Sequence, residues 1–385
     1  MSIKHNINLG ITGSVSVTDC NLRIFILLYY NMVEINNELL DFCIKELEKI
    51  DKEWIKRNRK INTLSIFYHL YNSSITNIGI SSSIKLYDNF SHTALINARK
   101  KLPTDTFYNL NKIINNQKCI KNNIENYIYA IDGSKIRVFN GFIKNGYRTI
   151  QKKLNKSNNR NSRGPQCLLS VLQGIQTNTI VNYAITKTLN ERSPIKFLIK
   201  DLKKNSIVIL DRGYYSKNIY NLFISSQIHC IMRLKYDANK KVENFYNSNK
   251  TNDIIDIICN SNIIKMRLIK YEIDSIKYII GTSLMNESLN YIKELYHKRW
   301  NIELTFKRLK SHLNINKIHS RTEELWLQEI QFRIVLDSML YSIQTNHIIK
   351  NKKNKVKYIY TYVYLINLIN IKIYNIYTNY HQFIT

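Results

Sequence analysis

Apolar positions along this chain follow two periods, and the change between them falls near Glu125. Before it, NNELLDFCIKELEKI and SHTALINARKKLPTDTFYNLNKII repeat apolar residues every three or four positions, which predicts amphipathic helices, the second interrupted at Pro103. After it, NYIYAIDGSKIRVF reads as a strand entering a glycine-containing turn, and Asp132 is expected immediately beyond its apolar part. QCLLSVLQGIQTNTIVNYAIT reads as two strands joined at Thr177 and Asn178. SPIKFLIKDL predicts a helix, NSIVILDRGYYS a buried strand and exit loop, KNIYNLFISS a helix and IHCIMRLKY a further strand. Residues 236–290 hold short Ile-rich stretches and are expected to form a mostly β insertion. Long helices then run from about Tyr291 to His347. Strands alternating with helices after an antiparallel group predict an α/β fold: a mixed sheet flanked by helices.

The charge changes this picture from a generic α/β protein to one with a polyanionic partner. Lysine and arginine number 57 against 28 acids, a formal net charge of +29. Such an excess repels itself and makes sense chiefly beside nucleic acid. A codon bias toward lysine would not explain why acids are half as frequent. Hydrophobic residues make up 44% of the chain, enough for a packed core and too many for general disorder. The six cysteines are dispersed, with no CxxC pair, which argues against a zinc ribbon or disulfide scaffold and fits a reducing compartment. The apolar run Ile24 to Tyr30 is too short and too far in for a secretory leader, and YIYTYVYLINLINI at Tyr358 to Ile371 is too short for a membrane span. No membrane partner is expected, and the location expected is intracellular, with DNA.

Two aspartates stand where an α/β sheet places ligand-binding groups. Asp132 follows YIYA and its Ile131, and Asp211 ends the buried run IVIL. Either one alone reads equally as turn chemistry or a helix cap. A third acid, Glu303, lies in YHKRWNIELTFKRLK among five cationic neighbours. Projected at about 100° per residue, Leu295, Ile302, Phe306, Leu309 and Leu313 form the buried stripe of this helix. Tyr296, Arg299, Glu303 and Lys310 form one column beside the stripe, while Lys298, Thr305 and Arg308 turn away. The column is expected to face the two aspartates. Pairing of Glu303 with Arg299 and Lys307 on the helix surface would be worth only about 0.2–0.5 kcal/mol. Three hard oxygen ligands without histidine or cysteine favour Mg²⁺ or Mn²⁺, as two ions roughly 4 Å apart acting on a phosphodiester.

The spacing Tyr296-x2-Arg299-x3-Glu303-x6-Lys310 resembles the signature of IS4-type DDE transposases. IDGSKIRVF and VILDRGYYS are similar to the family's first- and second-aspartate segments, and ARKKLPTDTF, HSRTEELWLQEI and GTSL add to the likeness. The resemblance implies an RNase H-like domain over residues 123–347, with its β-rich insertion at 236–290. It implies Asp132, Asp211 and Glu303 as catalytic, metal-binding acids, and Tyr296, Arg299 and Lys310 as contacts to transposon-end DNA. It further implies strand transfer into target DNA and self-association in a synaptic complex. Lys307 and the basic stretch QKKLNKSNNRNSR, with Lys152, Lys153, Arg160 and Arg163, are additional candidates for double-stranded DNA contacts. Residues 1–122 are expected to be a helical DNA-binding region, and 348–385 a tail or small packing element. Two alternatives share these features: an RNase H-fold nuclease or resolvase, and a catalytically inactive DNA-binding descendant.

Overall fold

The computed structural model describes residues 42–55, 60–121, 123, 125, 127–150, 163–259 and 262–346. The chain before Glu125 is helical: α1 (residues 42–54), α2 (Thr63–Thr76), α3 (Ile80–Tyr87), α4 (His92–Lys101) and α5 (Thr106–Lys121). Their boundaries follow local chemistry. Asn62 and Ser91 accept hydrogen bonds from the amides of Ser65 and Ala94, capping α2 and α4. Leu102, the residue before Pro103, is extended and closes α4.

The strands are β1 (Ile128–Arg137), β2 (Arg148–Ile150), β3 (Arg163–Gly174), β4 (Ile180–Thr186), β5 (Ile207–Leu210), β6 (His229–Leu234), β7 (Asn252–Cys259), β8 (Asn262–Ile273) and β9 (Ile276–Thr282). They form a single sheet in the order β2-β3-β1-β5-β6-β9-β8-β7, with β4 also paired to β3. The central strands β1, β5 and β6 are parallel, and all other pairings are antiparallel. The short helix α6 (Ile195–Ile199) lies between β4 and β5, and α7 (Lys217–Ser225) connects β5 to β6. The region between β6 and β9 contains the helix α8 (Lys240–Asn247), capped by Asn239, besides the strands that the Ile-rich pattern predicts. β9 returns antiparallel to β6, so β7 to β9 extend the sheet itself.

Both faces of the sheet are covered, which is why IVIL reads as a continuous apolar run. Ile207 and Ile209 of β5 join a core shared with α2, α4, α5 and the C-terminal helices, whereas Val208 and Leu210 join a second core with α6, α7 and α8. The described helices before Glu125 therefore share their core with the sheet. Three C-terminal helices follow: α9 (Leu289–Lys298), α10 (Trp300–Ser311) and α11 (Glu323–Asn346).

Four expectations need correction. β1 does not end at Ile131 but runs through Asp132 to Arg137, because β3 continues to pair with it as far as Arg137 opposite Gln166. The helical stretch after Tyr291 is divided. At Arg299 the hydrogen bonds tighten to i→i−3, with the Arg299 amide donating to Tyr296 and the Ile302 amide to Arg299. Thr305 does not turn away but is fully buried. Arg308 is also turned inward, where its guanidinium grips Asp337 of α11 at 2.8 and 3.0 Å. The reason for the last two is the same: α11 covers that side of α10.

Candidate active site

The register of the central strands places the two aspartates side by side. Parallel pairing of β1 with β5 ends at Ile131 opposite Leu210, and Asp132 and Asp211 are the next residues on each. Side chains alternate along a strand, so Asp132 shares the face of Ala130, and Asp211 continues the alternation of Ile207 and Ile209. That face is the one covered by the C-terminal helices. Adjacent strands stand about 4.8 Å apart, which brings two carboxylates together at a half-buried position.

The column on α9 and α10 meets them there. The Tyr296 hydroxyl donates to Asp211 Oδ1 at 3.2 Å. The Arg299 guanidinium stands between two acids, 3.6 Å from Asp132 Oδ2 and 2.8 Å from Glu303 Oε1. Lys310 Nζ lies 2.5 Å from the hydroxyl of Ser134, two positions along β1 from Asp132. Lys307 is exposed, on the side of α10 near His312. Of the basic stretch, Lys152, Lys153 and Arg160 lie outside the described residues, and Arg163 begins β3 opposite Ile150.

Two further residues at this place escape sequence reasoning. Glu191, on the loop between β4 and α6, packs its Cγ where a Cβ on Gly133 would lie 3.2 Å away, and its Oε2 3.5 Å from the corresponding point on Gly213. Tyr214 is held in the turn after Asp211 by its amide, which donates to the Asp211 carbonyl at 3.1 Å. Its hydroxyl is buried, is without a hydrogen-bond partner, and lies 3.4 Å from that same Gly133 point. Neither residue lies on the helix column. The one signal for them was the pair of glycines, Gly133 next to Asp132 and Gly213 two residues after Asp211, where the chain leaves room for an approach.

The site carries excess negative charge. Burial pushes Asp132 up to about 6, helped by the charges of Glu191 and Asp211; the Gly133 amide and Arg299 oppose this. Burial raises the Tyr296 and Tyr214 phenols, and the neighbouring acids raise them further, so both stay protonated donors. Burial alone would lower Arg299, but its hydrogen bond to Glu303 and the charges of Asp211 and Asp132 oppose this, and the guanidinium is raised. Among the described residues, no three acid, histidine or cysteine side chains enclose a metal position as they stand. The donor set is nevertheless that of a hard divalent cation: carboxylate oxygens in excess, a guanidinium standing in as counter-charge, and an orphaned buried phenol beside them.

A pH dependence follows with a definite sign. Asp132 has a folded pKa above its ordinary 3.8, so between about pH 4 and 6 the folded protein holds more protons than the unfolded chain. Stability of the metal-free protein should therefore fall as pH rises through this window, by way of Asp132. Asp132→Asn should flatten that part of the profile in thermal melts; an unchanged slope would show that another group titrates there.

A mixed sheet covered by helices on both faces, with Asp132 and Asp211 side by side where the pairing of β1 with β5 stops, has the RNase H-like fold. Residues 124–336 match the family model described as Transposase DDE domain. The chain belongs to this family, as the IS4-type resemblance implies. It is 29% identical over 133 residues to a Synechocystis sp. protein named as a putative transposase for insertion sequence element IS4SA. That match covers 32% of this chain and 37% of the relative, so the chain spans little more than a third of the length of this curated relative. The fold is similar to that of a piggyBac transposase determined by cryo-EM in a synaptic complex with hairpin DNA. The TM-score is 0.50 at 11% identity, covering 92% of this chain and 81% of that one. Among the described residues, no helix is long and apolar enough to cross a membrane.

Proposed function

We propose that the protein is a DNA transposase that cleaves phosphodiesters at transposon ends and joins the freed 3′-hydroxyl to target DNA. The observation that carries this reading is the engagement of the helix column with the sheet acids: Tyr296 on Asp211, Arg299 between Asp132 and Glu303, and Lys310 beside Ser134. Asp132, Asp211 and Glu303 would hold Mg²⁺ or Mn²⁺, as one or two ions. When bound, such ions activate a water or 3′-hydroxyl and stabilise the leaving oxygen. Arg299 and Lys310, half-buried cations at the rim of the acids, bind and orient the phosphates on either side of the scissile bond. Tyr296, kept protonated, holds Asp211 in place and excludes water from it. A net charge of +29 supports binding to double-stranded DNA at large, with the helical region before Glu125 contributing to end recognition. Self-association in a synaptic complex would bring two ends together. A protein of this kind works within the cell, on DNA.

The test uses the purified protein, a labelled DNA fragment carrying an inverted repeat sought in the DNA beside the gene, and Mg²⁺ or Mn²⁺. Metal-dependent nicking at the repeat followed by joined product is expected. Nicking without joining would favour a nuclease or resolvase, and equal binding in EDTA with no cleavage at all would favour an inactive DNA-binding descendant.

A second measurement concerns the basic stretch between β2 and β3. Each phosphate that the protein no longer neutralises should reduce the slope of log affinity against log salt by about 0.9. Neutralising Lys152, Lys153, Arg160 and Arg163 together should lower the slope by about 2 to 4 on that basis. A slope equal to that of the wild type would remove this stretch from the interface.

A further inference from the structure

Glu191 is a carboxylate that neither the helix column nor the family-like motifs include. It reaches Gly133 and Gly213, the neighbour of Asp132 and the second residue after Asp211, and a Cβ at Gly133 would press on its Cγ at 3.2 Å. The loop that carries it is fastened to the Asp211 turn. Arg192 Nε donates to the Gly213 carbonyl at 2.9 Å, and the Arg192 amide is held by the Asn190 side chain at 3.0 Å. No ion pair of Glu191 with a cation is formed among the described residues, and its charge bears on both Asp132 and Tyr214. A half-buried acid edge that gathers a further unpaired carboxylate lacks a counter-charge on that flank, since Arg299 serves the flank of Asp132 toward Glu303.

The second observation is independent of the acids. Tyr214 is 1% exposed, and its hydroxyl has no partner although it ends 3.4 Å from the Gly133 position, beside Glu191. Leaving a buried hydroxyl unsatisfied is costly, so a group held there is expected to serve an oxygen that binding brings within reach.

We infer that Glu191 is a fourth carboxylate of the divalent-cation centre, acting on the Asp132–Asp211 flank, with Tyr214 as the positioning residue that donates a hydrogen bond to a Glu191 oxygen. This rests on the reading of the site as a cation centre. It divides the acids into two sets, Glu303 on the Arg299 side and Glu191 on the opposite side, with Asp132 common to both.

The experiment is a Mn²⁺ titration of metal-free full-length protein, read by electron paramagnetic resonance in the absence of DNA, with thermal melting as the check on folding. Glu191→Gln should weaken Mn²⁺ binding by about tenfold or more, and Tyr214→Phe by a smaller factor in the same direction. Glu191→Asp, which keeps the charge on a shorter arm, should restore part of the loss. Glu243→Gln, a surface acid of α8, should change nothing. If Glu191→Gln binds Mn²⁺ as the wild type does while Asp132→Asn loses it, Glu191 is outside the centre and the inference is overturned. If Asp132→Asn and Asp211→Asn also bind as the wild type, the cation-centre reading itself fails, and this inference with it.

Discussion

Replacing Glu303 by glutamine is expected to lower DNA cleavage by about a thousandfold while leaving folding and DNA binding in place. The side chain is 37% exposed and sits on a helix that tolerates glutamine equally well, so the change alters charge and little else. It removes one of the carboxylates that would hold the divalent ion, and it removes the charged partner of Arg299 at 2.8 Å. Binding to DNA should tighten slightly, since a repulsion with phosphate is gone. Arg299→Ala should do the opposite. It weakens binding by removing a cation that grips phosphate, and it takes that cation from beside Asp132, whose pKa of about 6 should then climb further. Single-turnover cleavage and filter binding on the same end fragment separate the two. Wild-type cleavage by the glutamine variant would make Glu303 a surface acid on a basic helix and remove the central residue of the transposase reading.

The second large effect is on stability and lies away from the acids. Glu329 of α11 is fully buried between two guanidiniums, 3.4 Å from Arg99 of α4 and 3.3 Å from Arg333. Arg99 also donates to Gln328 Oε1 at 2.8 Å and to the Leu325 carbonyl at 3.0 Å. This cluster ties the ARKKLP segment of α4 to the WLQEIQFR segment of α11. Glu329→Gln would leave two buried cations without their counter-charge, and should cost about 3–5 kcal/mol in urea unfolding. Cleavage per folded molecule should be unchanged. A loss below about 1 kcal/mol would mean that the cluster is satisfied by its backbone contacts alone.

Much of the candidate site was legible because it obeys short-range rules. Asp211 follows a four-residue apolar strand, the position where an α/β sheet places ligand-binding groups. The column Tyr296, Arg299, Glu303 and Lys310 follows from helical spacing, and three of its members now touch Asp211, Asp132 and Ser134. The same reasoning failed on the other side of the helix. Thr305 and Arg308 look like solvent-facing positions because nothing within a few residues reveals that α11 will cover them. It failed again at α8, where the Ile-rich strands on either side hid a short helix capped by Asn239.

What the sequence determined by itself was whatever depends on neighbours within a turn or a strand: helix caps, the alternation that buries β5, the apolar stripe of α10 and the charge that calls for a polyanion. Those interactions are made by residues a few positions apart, so their spacing is already the geometry. Only the tertiary structure decided that Glu191 packs against Gly133 and Gly213, that Arg99 meets Glu329 across the core, and that Arg299 stands between Asp132 and Glu303. Each of these unites residues from separate elements, and their distance in space is set by sheet order and helix packing, which no local pattern encodes.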